Sequence, residues 1–218
     1  MVGLIIIPAR KGSKRLKNKN KLKFLGKPLI EHTFNFAKKI KLSPYILLTT
    51  DDKEIFDIGI KEKILTPWLR PGKISKDNSQ SISFVLHAIN WFEKNFKKLD
   101  YIVLLQPTSP FRELKTLREM FKIFKKKKSS IATFTLNLDN KKNIYYVINK
   151  KKIYKNSKSK IKANISGNIY INSVNNIRKY KKIINQETIP YITNNKKEDI
   201  DIDTLKQFNL ALKLDKKN

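Results

Sequence analysis

At 218 residues the chain fits one domain with a substantial core and is short for two independent enzymatic domains. Hydrophobic residues make up 40% and aromatics 10%, which excludes a disordered polypeptide, and the lack of cysteine excludes disulfides, thiolate metal sites and cysteine nucleophiles. The formal net charge of +30 would by itself suggest a polyanion partner, but the excess is lysine spread over the whole length; arginine, which base readout and bidentate phosphate clamps favour, stands at only six positions.

The N-terminal run from Val2 to Ile7 meets Pro8, too short for a signal sequence and with no basic residue before it. It reads as a buried first strand. No other segment approaches the roughly 20 apolar residues needed to span a bilayer, so a soluble, cytoplasmic protein with no membrane partner is expected. A basic loop with Gly12 and Ser13 runs from Pro8 to about Lys23. Leu29, Ile30, Thr33, Phe34 and Ala37 follow at helical spacing, with Pro28 suited to the first helical position. Tyr45 to Thr49 reads as a second strand, and Asp51 and Asp52 can cap a helix that begins near Lys53. Ser79 to Phe96 has an amphipathic helical pattern, Tyr101 to Leu105 reads as a third buried strand, and a helix is expected from about Glu113 to Phe124. The lysines at 125–128 suit its exposed C-terminal end.

From Ile131 the pattern turns to short β-prone runs. Ile144 to Ile148 and Lys152 to Tyr154 flank Asn149 and Lys150 as a hairpin would, followed by a polar stretch from Lys155 to Lys162. Gly167 to Ile171 and Ile189 to Ile192 read as strands, and a last helix is expected over about Thr204 to Leu214. Strand, loop and helix alternate without an internal repeat or an interdomain linker. That predicts a single α/β domain over residues 1–218, a parallel sheet wrapped by helices, with ligand at the carboxyl ends of the strands.

Three stretches carry candidate chemistry. In the first, Arg10, Lys14 and Lys19 surround Gly12 and Ser13 just after a buried strand. Backbone N–H groups near a glycine, a serine hydroxyl and several cations suit a triphosphate, although neither a P-loop nor a dinucleotide-binding glycine pattern is present, and a plain basic surface loop stays open. In the second, Asp199, Asp201 and Asp203 alternate with Ile200 and Ile202, so an extended chain would turn the acids to one face and the isoleucines to the core. Such acids suit Mg²⁺ completed by water and phosphate, or Asp203 simply caps the following helix. In the third, Gln106 to Arg112 follows a buried strand and ends in an arginine that cannot be buried cheaply without a partner. Asp77 to Ser81 could be an N-cap and nothing more, and His32 and His87 read as packing or surface residues.

In this order IPARKGSKRLKNKN (from Ile7), RPGKISKDNSQS (from Arg70), LLQPTSPFR (from Leu104) and DIDIDT (from Asp199), together with GKPLIEHT (from Gly26) and GNIYIN (from Gly167), resemble the CMP-sialic acid synthetases and their legionaminic and pseudaminic acid relatives. The blocks span nearly the whole chain. The resemblance implies a Rossmann-like nucleotidyltransferase fold and a homodimer, with a protruding hairpin within about residues 131–172 as the dimerisation element. It also implies transfer of CMP from CTP to a nine-carbon 2-keto sugar acid. Ala9, Arg10, Gly12, Ser13, Lys14, Lys19, Asn20, Arg70 and Ser81 would then lie on the CTP side, and Gln106 and Tyr170 on the sugar side. Asp201 and Asp203 would hold Mg²⁺ and, with Arg10 and Lys19, form the catalytic set. Lys11 stands where these enzymes often have glycine, and Ser166 where asparagine is usual. Only Lys155, Lys158 or Lys160 could represent the usual arginine pair. A cytidylyltransferase for the eight-carbon acid Kdo is the near alternative, and a basic nucleic-acid-binding protein the distant one.

Overall fold

The computed structural model describes residues 1–76, 79–136, 144–148, 152–154, 162–193 and 195–215. The first strand, β1 (Gly3–Ala9), lies between β4 (Ile46–Thr50) and β5 (Tyr101–Leu104) and is parallel to both. Beyond β5 the sheet continues through β9 (Lys162–Ser173), β6 (Ile131–Thr135) and β10 (Ile189–Ile192), giving the order β10-β6-β9-β5-β1-β4. Within this order β9 runs against the other five, since it is antiparallel to both β5 and β6, whereas β10 is parallel to β6. A mostly parallel sheet was expected and is found.

Alternation within β1 explains the layers. Ile5, Ile7 and Ala9 join one core with helices α1 (Leu29–Lys39), α2 (Lys53–Lys61) and α4 (Leu114–Lys127). Leu4 and Ile6 join the opposite core with α3 (Ser81–Asn95) and α5 (Val174–Tyr180). Each face of β1 is thus covered, which is why its sequence reads as a continuous apolar run. A third cluster unites Phe24, Leu29, Ile200, Ile202 and Ala211, the last from α6 (Leu205–Asp215).

Asp52 caps α2 as expected, its carboxylate accepting from the backbone N–H of Glu54 and Ile55. Pro28 stands one position before α1 instead of opening it, and it pairs with Lys23 in a small two-stranded ribbon of β2 (Lys23–Phe24) and β3 (Lys27–Pro28). The predicted hairpin is present as β7 (Ile144–Ile148) paired antiparallel with β8 (Lys152–Tyr154), and β7 also pairs with β9. Among the described residues no helix is long and apolar enough to cross a membrane.

From β1 the chain moves toward the β4 edge of the sheet, whereas from β5 it moves the other way, toward β6 and the β10 edge. The carboxyl ends of β1 and β5 therefore flank a topological switch point, where an open α/β sheet forms a crevice.

Candidate functional site

The crevice is a cleft of about 240 Å³, and most residues singled out from the sequence line it: Arg10, Ser13, Lys14, Lys19, Asn20, Arg70, Ser81, Gln106 and Asp203. The loop of residues 10–20 forms one wall. Its course is held by Leu16, which packs on the cluster containing Ile200 and Ile202, and by the Lys11 N–H, which donates to Asp51 Oδ1 at 3.0 Å. Asn20 is buried and donates to the Arg10 carbonyl at 3.4 Å, tying the two ends of the loop together.

Arg70 enters from beyond β4. Its Nη2 donates to Asp51 at 3.2 Å, its Nε to Ser75 Oγ at 3.1 Å, and its guanidinium lies over the Phe84 ring. Burial pushes this guanidinium down and the Asp51 carboxylate works against that. Asp51 thus orders both cationic walls at once, a role invisible in the sequence, where it read as a second capping acid.

The acidic segment closes the far side. Ile200 and Ile202 are buried as the alternation predicted, and the Ile202 N–H donates to the Thr108 carbonyl at 2.7 Å, fastening the segment to the loop after β5. The three acids nevertheless do not act alike. Asp199 accepts from the hydroxyls of Thr135 (2.8 Å) and Thr193, away from the cations. Asp203 pairs with Lys19 Nζ at 2.5 Å and with Arg15, a cation that sequence reasoning passed over. Asp203 is not the cap of α6: Thr204 Oγ1 accepts from the Gln207 N–H at 3.3 Å, which makes Thr204 the cap, and Gln207 Oε1 reaches back to accept from the Asp203 N–H at 2.9 Å.

Asp201 is the most confined of the three. Its Oδ1 is buried and has no hydrogen-bond partner among the described residues. Burial and the charge of Asp203 push its carboxyl above the usual range, against the Thr108 hydroxyl, Lys19 and Arg15. Among the described residues no three acids or histidines cluster to cage a metal on their own. An orphaned buried carboxylate oxygen beside a second carboxylate does fit a hard divalent cation that takes its remaining ligands from water and phosphate.

Four expected residues lie off the cleft wall. Ala9 is buried at the end of β1, and a side chain at Gly12 would meet nothing within 4 Å. Tyr170 is buried in the core on the α3 side, and Asp201 stands beneath the wall near Gly167. Asp77, Asn78, Lys155, Lys158 and Lys160 lie outside the described residues.

A basic loop and an acid pair facing each other at the switch point of a mostly parallel sheet define a nucleotidyltransferase-type site. The chain belongs to the cytidylyltransferase family, whose model matches residues 4–218. It is 35% identical to CMP-N,N'-diacetyllegionaminic acid synthase of Legionella pneumophila, over 97% of this chain and 95% of that one. It is 33% identical to a pseudaminic acid cytidylyltransferase of Campylobacter jejuni, over 57% of this chain and 53% of the relative. Among solved structures, a CMP:2-keto-3-deoxy-manno-octonic acid synthetase complexed with CTP superposes on the whole chain with a TM-score of 0.76, at 14% identity and 99% coverage of its own length.

Proposed function

We propose that this chain transfers CMP from CTP to the anomeric hydroxyl of a nine-carbon 2-keto sugar acid of the sialic, legionaminic or pseudaminic type, releasing pyrophosphate. The observation that carries the reading is the cleft itself, which Arg10, Lys14, Lys19, Asp203 and Gln106 line together. The preference for a nine-carbon acid over Kdo rests on the legionaminic acid synthase, 35% identical over 97% of this chain, whereas a 3-deoxy-manno-octulosonate cytidylyltransferase of Wigglesworthia glossinidia brevipalpis is 32% identical over 65% of it.

The sugar hydroxyl oxygen attacks the α-phosphorus of CTP, loses its proton, and the bond to the β-phosphate oxygen breaks in line. Arg10, Ser13 and Lys14 bind the triphosphate and offset the charge that builds on the departing pyrophosphate. Lys19, held by Asp203, adds a fixed positive charge at the same end. Asn20 and Arg70 border the nucleoside side, with Ser81 at the start of α3. Asp201 and Asp203 would hold Mg²⁺, which supplies Lewis-acid neutralisation of phosphate charge when bound. Gln106 orients the sugar. The reading includes a homodimer joined through the β7–β8 hairpin and a cytoplasmic location.

The test is pyrophosphate release by the purified chain with CTP, Mg²⁺ and a panel of sialic, legionaminic, pseudaminic and Kdo acids. Release should need nucleotide, metal and a nine-carbon acid together. Turnover of Kdo alone, or release independent of any acid, would sink the proposal.

A further inference from the structure

We infer that Arg112 is the positioning residue of the acceptor half of this site, locking the Gln106 loop against the turn at Gly167 and thereby setting where the sugar acid lies relative to Asp201. The inference deepens the cytidylyltransferase reading and rests on it.

Arg112 does not line the cleft that Arg10, Lys14 and Lys19 line. Its donors are spent on three separate pieces of chain. Nε donates to the Asn168 carbonyl at 3.0 Å, Nη2 to the Gln106 carbonyl, and Nη1 to Thr33 Oγ1 at 3.0 Å. Two of those acceptors are backbone groups at the acceptor side, one in the loop after β5 and one in β9 directly after Gly167. A planar guanidinium fork fixes the direction of both carbonyls, which a single rotating ammonium cannot do.

What the fork holds together is a close approach. Gly167 has a φ of +77°, and a Cβ added there would stand 3.3 Å from Gln106 Oε1 and 3.9 Å from Asp201 Oδ2. The Gln106 amide and the Asp201 carboxylate therefore converge over a residue that must lack a side chain. The same stretch of β9 is held from behind: Asn168 Nδ2 donates to the Glu198 carbonyl at 3.1 Å, and the Glu198 carboxylate accepts from the Glu113 N–H at 3.1 Å and from Thr116 Oγ1 at 2.7 Å. Arg112 and Glu198 thus brace the two strands of chain that carry Gln106 and Asp201. The start of the nucleotide loop is held at a different place, where the Lys11 N–H donates to Asp51 Oδ1. The two halves of the site can accordingly be perturbed one at a time.

The experiment compares wild type with Arg112→Lys, Gly167→Ala and Thr33→Val, measuring Tm, CTP affinity by calorimetry, and kcat and KM for CTP and for the acid that wild type uses best. Arg112→Lys should lose about 100-fold in kcat/KM for the acid, the scale of a displacement of about 1 Å at a reacting centre. Its CTP affinity should stay at the wild-type value. Gly167→Ala disturbs the same approach without touching Arg112 and should show the same loss confined to the acid, which keeps the test alive if Arg112→Lys does not fold. Thr33→Val removes the contact that leads away from the site and should lower Tm without separating the two substrates. Equal losses for CTP and acid in the folded variants, or wild-type kinetics in Arg112→Lys, would overturn the positioning role alone. If wild type itself releases no pyrophosphate with any acid, the functional reading falls and the positioning role falls with it.

Discussion

Asp203 answers two cations of the nucleotide loop, Lys19 at 2.5 Å and Arg15, whereas the buried Oδ1 of its neighbour Asp201 has no partner among the described residues. Since Thr204 supplies the cap of α6, replacing Asp203 by Asn leaves that helix end intact and removes only a charge. Asp203→Asn and Asp201→Asn are therefore expected to keep a near wild-type melting temperature while Mg²⁺-dependent pyrophosphate release falls toward background. Normal kinetics in either variant would exclude that acid from the chemistry. Arg10→Ala should lose roughly 2–4 kcal/mol of transition-state stabilisation, the size of one oxyanion donor, read from kcat/KM for CTP. Acids and isoleucines were legible here from their alternation. Their division of labour was not, because Asp199 turns to Thr135 and Thr193 from elsewhere in the chain.

At the scale of elements, the Thr204 cap that opens α6 lies directly after the acidic segment, and the helix anchors that segment through Gln207. Thr204→Ala should cost about 1 kcal/mol of stability, measured by urea unfolding, since it removes the acceptor for a first-turn N–H. An unchanged midpoint would show that Gln207 alone suffices. Long helices could be read from periodicity: Leu29, Ile30, Thr33, Phe34 and Ala37 all turn inward on α1 as their spacing demanded. α5, at seven residues, is too short for a periodic pattern to stand out, although Ser173 caps it by accepting from the Asn176 N–H. The ribbon of β2 and β3 was hidden for a related reason, each strand having only two residues.

For the whole molecule, two histidines make stability depend on pH. Burial lowers His32 and His87 below their ordinary 6.5; His32 is hydrogen-bonded to the Phe24 carbonyl at 2.8 Å, and His87 stands edge-on to Trp68. The unfolded chain therefore takes up these protons first. Their contribution is fully present above 6.5 and is lost as pH falls through the lowered values. A melting series from pH 7 to 5 should show a smaller acid loss in His87→Gln than in wild type, and parallel curves would refute it. The +30 charge should produce nucleic-acid binding that is weak, indifferent to sequence and steeply salt-dependent. Tight sequence-selective binding at physiological salt would contradict this.

Local pattern carries whatever depends on neighbours in the chain: the apolar run of β1, the helical stripes, the alternating acids and the cation-rich loop. Those features were enough to specify a mostly parallel α/β domain and to single out Arg10, Ser13, Lys14, Lys19, Gln106 and Asp203 of the cleft, while Asn20, Arg70 and Ser81 came from the family resemblance. Tertiary structure decided what depends on approach between distant segments. Asp51 joins the loop at Lys11 to Arg70, Arg15 meets Asp203 across 188 positions, and Arg112 spends its fork on Thr33, Gln106 and Asn168. The physical reason is that hydrogen bonds and ion pairs are directional and reach only about 3 Å. Which donor meets which acceptor is therefore set by how the sheet brings its strand ends together, and no periodicity in the sequence records it.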